Sequence, residues 1–229
     1  MTTVRVIGVP RSGTNLVKYL LETHTSLRCL FNHGWWKHAV IPALFADGQP
    51  VRDGTPTIVL FREPLDQMQA FFRFSEKGRA AIYGDTPLPA FLRGPVRTDP
   101  PEGMSYWYPS PVAYWEQYYE AALRWDAPGR HFLSLESLQA DPGVLRRLAE
   151  RIAPGCAGDA AFALPAGYVG RNGDAHVAEG FGFEPGTSLA REQAEAEATR
   201  AGFDAADRAH VLTEHVRALH AELQAIAAR

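Results

Sequence analysis

The run Val4-Arg5-Val6-Ile7-Gly8-Val9-Pro10-Arg11-Ser12-Gly13-Thr14-Asn15-Leu16-Val17-Lys18-Tyr19-Leu20-Leu21 changes character part-way along. Val4 to Val9 is apolar and β-branched, the composition of a buried strand, and it ends at Pro10-Arg11-Ser12-Gly13. Beyond it, Leu16, Val17, Leu20 and Leu21 fall at the spacing of one helix face. The run therefore reads as strand, tight loop and helix. Gly8 and Gly13 are separated by four residues across that loop, the layout in which backbone N–H groups wrap a phosphate at a helix N-terminus. A nucleoside-triphosphatase loop would continue G-x-x-x-x-G-K-[ST], the Lys reaching the outer phosphates and the hydroxyl binding Mg²⁺. Thr14 and Asn15 occupy those two places, and the cation lies inside the loop as Arg11. The loop is thus expected to hold a phosphate-like group with no metal site beside it.

Further short apolar runs repeat the alternation. Leu27 to Phe31 precedes the cluster His33-Gly34-Trp35-Trp36-Lys37-His38, and Thr57 to Phe61 is a continuous buried-type strand ending at Arg62-Glu63-Pro64. A helix is predicted from Leu65 to Phe74. The run His131 to Leu135 leads through Leu138 into the amphipathic stretch Asp141 to Ile152, where Leu145, Leu148 and Ile152 share a face. Helices between buried strands imply an α/β fold: one three-layer α/β/α domain over residues 1–229 with a mostly parallel sheet. Residues 78–111 hold seven of the 17 prolines and are expected to be a long loop-like insertion, of the kind that serves as a lid or binding loop. Ala166 to Thr187 is glycine-rich and expected to be irregular. A C-terminal helix is expected over 204–228, with Asp204 as its cap and Leu212, Val216, Leu219, Leu223 and Ile226 spaced 4, 3, 4 and 3 apart.

Composition narrows the function classes. With 229 residues, 46% apolar, the chain has enough for one large core and is not a disordered sequence. No stretch approaches the roughly 18 apolar residues of a membrane span, and the N-terminus runs straight into a strand instead of a signal peptide, so a cytoplasmic protein is expected. A net charge of −3 argues against a dedicated nucleic-acid binder. Cys29 and Cys156 are too few and too distant for a disulfide framework or a zinc site. Only three basic residues are lysine: Lys18, Lys37 and Lys77.

Pro10-Arg11-Ser12-Gly13-Thr14-Asn15 resembles the P-[KR]-S-G-T-[TN] loop of the sulfotransferases that use 3′-phosphoadenosine 5′-phosphosulfate (PAPS). The resemblance implies that Arg11, Ser12, Gly13, Thr14 and Asn15 hold the 5′-phosphosulfate, with Arg11 offsetting charge on the bridging oxygen as the S–O bond breaks. Ile58 to Asp66 looks like the second family signature, in which Arg62 would grip the 3′-phosphate through a planar, permanently charged fork. Ala70 stands where the family usually has a serine on that phosphate, with Gln67 and Gln69 as nearby substitutes. Tyr114 to Tyr119, His131 to Leu138 and Asp141-Pro142 are similar to the family's aromatic helix, fourth strand and following segment, although Leu135 lies where an adenine-contacting tyrosine often does. Gly170-Arg171-Asn172-Gly173 is similar to the C-terminal R-K-G, implying Arg171 and Gly173 on the 3′-phosphate. The matches span about residues 4–175.

Transfer to an alcohol needs a base, and histidine has the suitable pKa. His210, His215 and His220 recur every five residues, about 140° apart on a helix, so they do not form a single-face metal site. Trp36-Lys37-His38 looks like a shortened form of the family's K-x-H, which makes His38 the expected base and Lys37 an electrophilic aid. Neighbouring residues on an extended strand point opposite ways, so both act only if the backbone turns there. His33 is the alternative base, with Gly34 able to supply the turn. The expectation is a metal-independent, PAPS-dependent sulfotransferase whose product nucleotide is adenosine 3′,5′-bisphosphate and whose acceptor is a hydroxyl or amine of a small molecule, a sugar or a lipid-like compound. Trp35, Trp36, Tyr106, Trp107 and Tyr108 offer faces for stacking such an acceptor. Alternatives are a P-loop kinase or nucleoside triphosphatase, and a degenerate sulfotransferase-like protein that binds the nucleotide without transfer.

Overall fold

The computed structural model describes residues 2–31, 36–40, 54–78, 86–98, 105–125, 129–159, 161–165 and 202–229. In chain order the elements are β1 (Thr3–Gly8), α1 (Thr14–His24), β2 (Arg28–Leu30), β3 (Thr57–Phe61), α2 (Pro64–Gly78), α3 (Leu88–Arg93), β4 (Val96–Thr98), β5 (Tyr106–Tyr108), α4 (Pro111–Arg124), β6 (Arg130–Ser134), α5 (Leu135–Ala140), α6 (Gly143–Ile152), α7 (Ala205–Val211) and α8 (Glu214–Ala227). The main sheet has the order β2-β1-β3-β6 and is parallel throughout, with Val6 opposite Ile58 and Gly8 opposite Leu60. Alternation along the strands divides the core between its two faces. Val4, Val6, Ile58 and Leu60 pack with Val17, Leu20 and Leu21 of α1 and with Leu145 and Leu148 of α6. Ile7, Val9, Val59 and Phe61 face the other way, onto α2, α4 and α8. The result is the expected three-layer α/β/α arrangement.

Strand order also locates the functional crevice. The connection leaving β1 runs to β2 on one side, and the connection leaving β3 runs toward β6 on the other. Where successive connections diverge, the carboxyl ends of the two strands leave a gap between them, and open α/β sheets bind ligands there. Gly8 ends β1 at this point and Phe61 ends β3, which puts the Pro10–Gly13 loop and Arg62 on the two lips of one crevice.

Four expectations need correction. The segment 78–111 carries α3 and the antiparallel hairpin β4–β5, with Val96 opposite Tyr108, in place of an unbroken loop. Its prolines misled because Pro87 and Pro89 sit at the first turn of α3, where a missing N–H costs no hydrogen bond. The C-terminal helix is two helices, broken at Leu212 and restarted by Thr213, whose Oγ1 accepts the Val216 N–H at 3.1 Å. Asp204 does cap the first of them, accepting the Asp207 N–H at 2.7 Å. α2 also runs beyond the predicted Phe74, to Gly78, and Leu135 opens α5 instead of closing a strand. The expected irregular stretch Ala166 to Thr187, with Arg171 and Gly173 in it, lies outside the described residues.

Candidate functional site

The loop after β1 has a backbone few sequences can adopt. Arg11 has φ 72° and Gly13 φ 95°, so two left-handed residues flank Ser12, and Arg11 is the only non-glycine residue at positive φ among those described. The Ser12 N–H donates to the Val9 carbonyl at 3.1 Å, closing the turn, and α1 begins at once with the Val17 N–H on the Gly13 carbonyl at 3.1 Å. Both glycines are required. A Cβ on Gly8 would lie 2.3 Å from Ser12 Oγ and 2.7 Å from the Leu60 carbonyl oxygen, and one on Gly13 would lie 2.8 Å from Leu135 Cδ1. The first turn of α1 leaves N–H groups without intrahelical partners, and no side chain caps them.

Ser12 is 0% exposed, and its Oγ has no hydrogen-bond partner among the described residues. Leaving such a hydroxyl unsatisfied costs about 1–3 kcal/mol, and it lies against the backbone of β1, within 2.3 Å of where a Cβ on Gly8 would stand. Gln67, on α2, donates from Nε2 to the Pro10 carbonyl at 2.5 Å, which fixes its amide orientation and leaves its buried Oε1 without a partner. Gln67 therefore braces the loop from the side. Gln69 is buried as well, with Oε1 unpartnered, and Ala70 is half-buried.

Lys37 and His38 reach the loop together because the backbone does turn. The Ala39 N–H donates to the Trp36 carbonyl at 2.9 Å, and the Gly8 N–H donates to the Lys37 carbonyl at 3.1 Å. From this turn Lys37 Nζ donates to Asn15 Oδ1 at 2.8 Å and lies 3.8 Å from the centre of the Phe31 ring, a cation–π contact. His38 Nδ1 lies 2.5 Å from the Gly8 carbonyl oxygen. A carbonyl only accepts, so Nδ1 carries the proton in the neutral ring and Nε2 is the nitrogen that takes one up. Asn15 thus holds the lysine, a role the motif alone did not indicate. Tyr118 donates to the Lys37 carbonyl at 3.0 Å and Tyr114 to the His38 carbonyl, so α4 supports the turn from behind.

The other lip is built at the end of β3. Arg62 is half-buried beside Glu63, whose N–H donates to Glu136 Oε1 at 3.0 Å and whose Oε2 accepts the Asp66 N–H at 2.9 Å at the start of α2. Ser134 Oγ donates to Glu136 Oε2 at 2.7 Å, fixing that carboxylate. Leu135 is buried with its methyl groups against Gly13, an apolar contact at the place where the family resemblance led one to look for a ring. Thr14 is buried at the start of α1. The hairpin aromatics lie partly in solvent: Trp107 is 60% exposed and Tyr106 42%, while Tyr108 is buried, its ring centre 4.4 Å from that of Tyr114.

Four other histidines are placed elsewhere. His24 stacks on Phe162 at 5.0 Å, His210 contacts the Leu92 carbonyl at 3.1 Å, and His215 pairs with Glu120 at 2.6 Å. His220 lies between Phe61 and Trp115, and burial lowers its pKa below the ordinary 6.5. No three His, Cys, Asp or Glu residues among those described converge as a metal site, and both cysteines are free. No helix among them is long and apolar enough to cross a membrane. His33, Gly34, Trp35, Arg171 and Gly173 lie outside the described residues. No family model matches the chain, and no curated protein or solved structure matches it either.

Proposed function

We propose that the chain is a PAPS-dependent sulfotransferase acting on a hydroxyl or amine of a small acceptor. The observation that carries this reading is Arg11, a cation held in a left-handed conformation inside the Gly8–Gly13 loop, with Lys37 and His38 delivered to the same loop by a separate turn. A phosphotransferase loop puts its cation and its magnesium hydroxyl after the second glycine, where this chain has Thr14 and Asn15, and Asn15 is engaged by Lys37. The residues fit an anionic donor. The loop amides and the first turn of α1 would hold the 5′ end, and Arg62 the 3′-phosphate.

Bound PAPS would supply the sulfuryl group. Arg11 and Lys37 would neutralise negative charge collecting on the phosphate side, as fixed donors that need no reorganisation. His38 would take the acceptor proton at Nε2, its other nitrogen locked on Gly8. Asn15 and Phe31 keep Lys37 from swinging into solvent; it is 8% exposed. The test is incubation with sulfur-labelled PAPS and a panel of phenols, alcohols and amines, without metal. Label on an acceptor, falling about 10²–10³-fold in Arg11→Ala, supports the reading. Transfer of the γ-phosphate of Mg·ATP instead would refute it in favour of a kinase, and nucleotide binding with no transfer to any acceptor would refute it in favour of a binding protein.

A further inference from the structure

Tyr114, Tyr118 and Tyr119 are at most 1% exposed, and all three turn their hydroxyls toward the backbone of the site. Tyr118 donates to the Lys37 carbonyl at 3.0 Å, Tyr119 to the Leu60 carbonyl at 2.7 Å, and Tyr114 to the His38 carbonyl. Residues four apart on a helix lie on one face a turn apart, so Tyr114 and Tyr118 can meet the consecutive carbonyls of residues 38 and 37. Packing alone does not ask for this. Phenylalanine would fill the same positions without a polar atom to bury, yet this face of α4 carries three hydroxyls, each matched to a carbonyl next to the crevice.

We propose that Tyr114 and Tyr118 are positioning residues that hold the 36–39 turn against Gly8, so that Lys37 reaches Asn15 and His38 keeps Nδ1 on the Gly8 carbonyl. The catalytic meaning rests on the sulfotransferase reading, but the tautomer of His38 is observable without it. The two hydroxyls are not equivalent. The Lys37 carbonyl also accepts the Gly8 N–H at 3.1 Å, so it keeps a donor when the Tyr118 hydroxyl is lost. Burial holds the pKa of all three phenols well above the ordinary 10, so they stay protonated donors throughout the neutral range.

The experiment compares the full chain with Tyr114→Phe, Tyr118→Phe and the double variant, reading His38 ring nitrogens by two-bond proton–nitrogen correlation at a pH where the ring is neutral. Wild type should show the Nδ1–H form. Tyr114→Phe and the double variant should show a mixture with the Nε2–H form, and Tyr118→Phe should fall between. Affinity for adenosine 3′,5′-bisphosphate should stay within about threefold, while kcat drops about tenfold or more, as expected when a reacting group is misplaced. A folded double variant with the wild-type His38 signals would overturn the proposal. If the double variant does not fold, an unchanged tautomer in Tyr114→Phe overturns it equally. A tautomer shift in a protein whose wild type does not bind the bisphosphate would uphold the positioning role and refute the sulfotransferase reading.

Discussion

Replacing Arg11 by alanine and by glycine separates the chemistry of the loop from its conformation. Both substitutions delete the same guanidinium, but they answer differently to the backbone, which holds φ at 72°. A left-handed conformation costs an L residue about 1–2 kcal/mol. Glycine escapes that cost, while its freer unfolded chain costs about 0.4–1 kcal/mol relative to alanine. The balance leaves Arg11→Gly more stable than Arg11→Ala by about 0.5–1 kcal/mol, the reverse of the order expected in a helix or strand. For a domain of this size that corresponds to about 1–4 °C in Tm. Urea denaturation of the two variants measures the difference, and sulfuryl transfer, measured in parallel, should fall about 10²–10³-fold in both. An alanine variant as stable as the glycine variant would refute the left-handed loop. Transfer lost in one variant and kept in the other would refute the role given to the guanidinium.

Further outcomes follow from the loop's packing and from the titrating groups. Gly8→Ala should destabilise by about 1–3 kcal/mol, because its Cβ would meet the Leu60 carbonyl at 2.7 Å and Tyr119 holds that carbonyl in place; a loss below about 0.5 kcal/mol in urea would mean the strands part freely there. Glu150 accepts the N–H groups of Gly155 and Ala157 at 2.7 and 2.8 Å, and these bonds lower its pKa below the ordinary 4.5. Its folded pKa lies under its unfolded one, so its contribution is present above the unfolded pKa and is lost as pH falls through the folded one. Glu150→Gln should therefore lower the urea midpoint at pH 7 and barely change it in strong acid, whereas a difference that persisted or grew there would contradict the assignment.

The strand, loop and helix at the N-terminus were legible because the signals that announce them are local: two glycines, a proline and an apolar face within some twenty residues. Arg62 was legible for a similar reason, standing directly after a continuous buried strand. The placement of Lys37 and His38 was not. It depends on the Gly8 N–H, on Asn15 and on two tyrosines nearly eighty residues away, and no local pattern encodes that turn. The tyrosines did leave a trace, an i, i+4 pair on one helix face, but hydroxyl and ring look alike to a hydrophobic pattern. In α7 and α8 the 4-3-4-3 spacing of apolar residues runs through the break, since Leu212 still packs against the core, and only the Thr213 cap marks the restart. The prolines of 78–111 suggested loop because proline ends helices and also begins them, and composition does not distinguish the two.

The most direct measurement is calorimetric titration of the full chain with adenosine 3′,5′-bisphosphate, without metal, alongside Arg62→Ala and a parallel titration with Mg·ATP. Binding of the bisphosphate that weakens at least tenfold in Arg62→Ala, the loss of a charge-assisted contact of about 1.5–3 kcal/mol, with no comparable binding of Mg·ATP, is the predicted result. No binding of the bisphosphate, or tighter binding of Mg·ATP that ignores Arg62, would contradict the account.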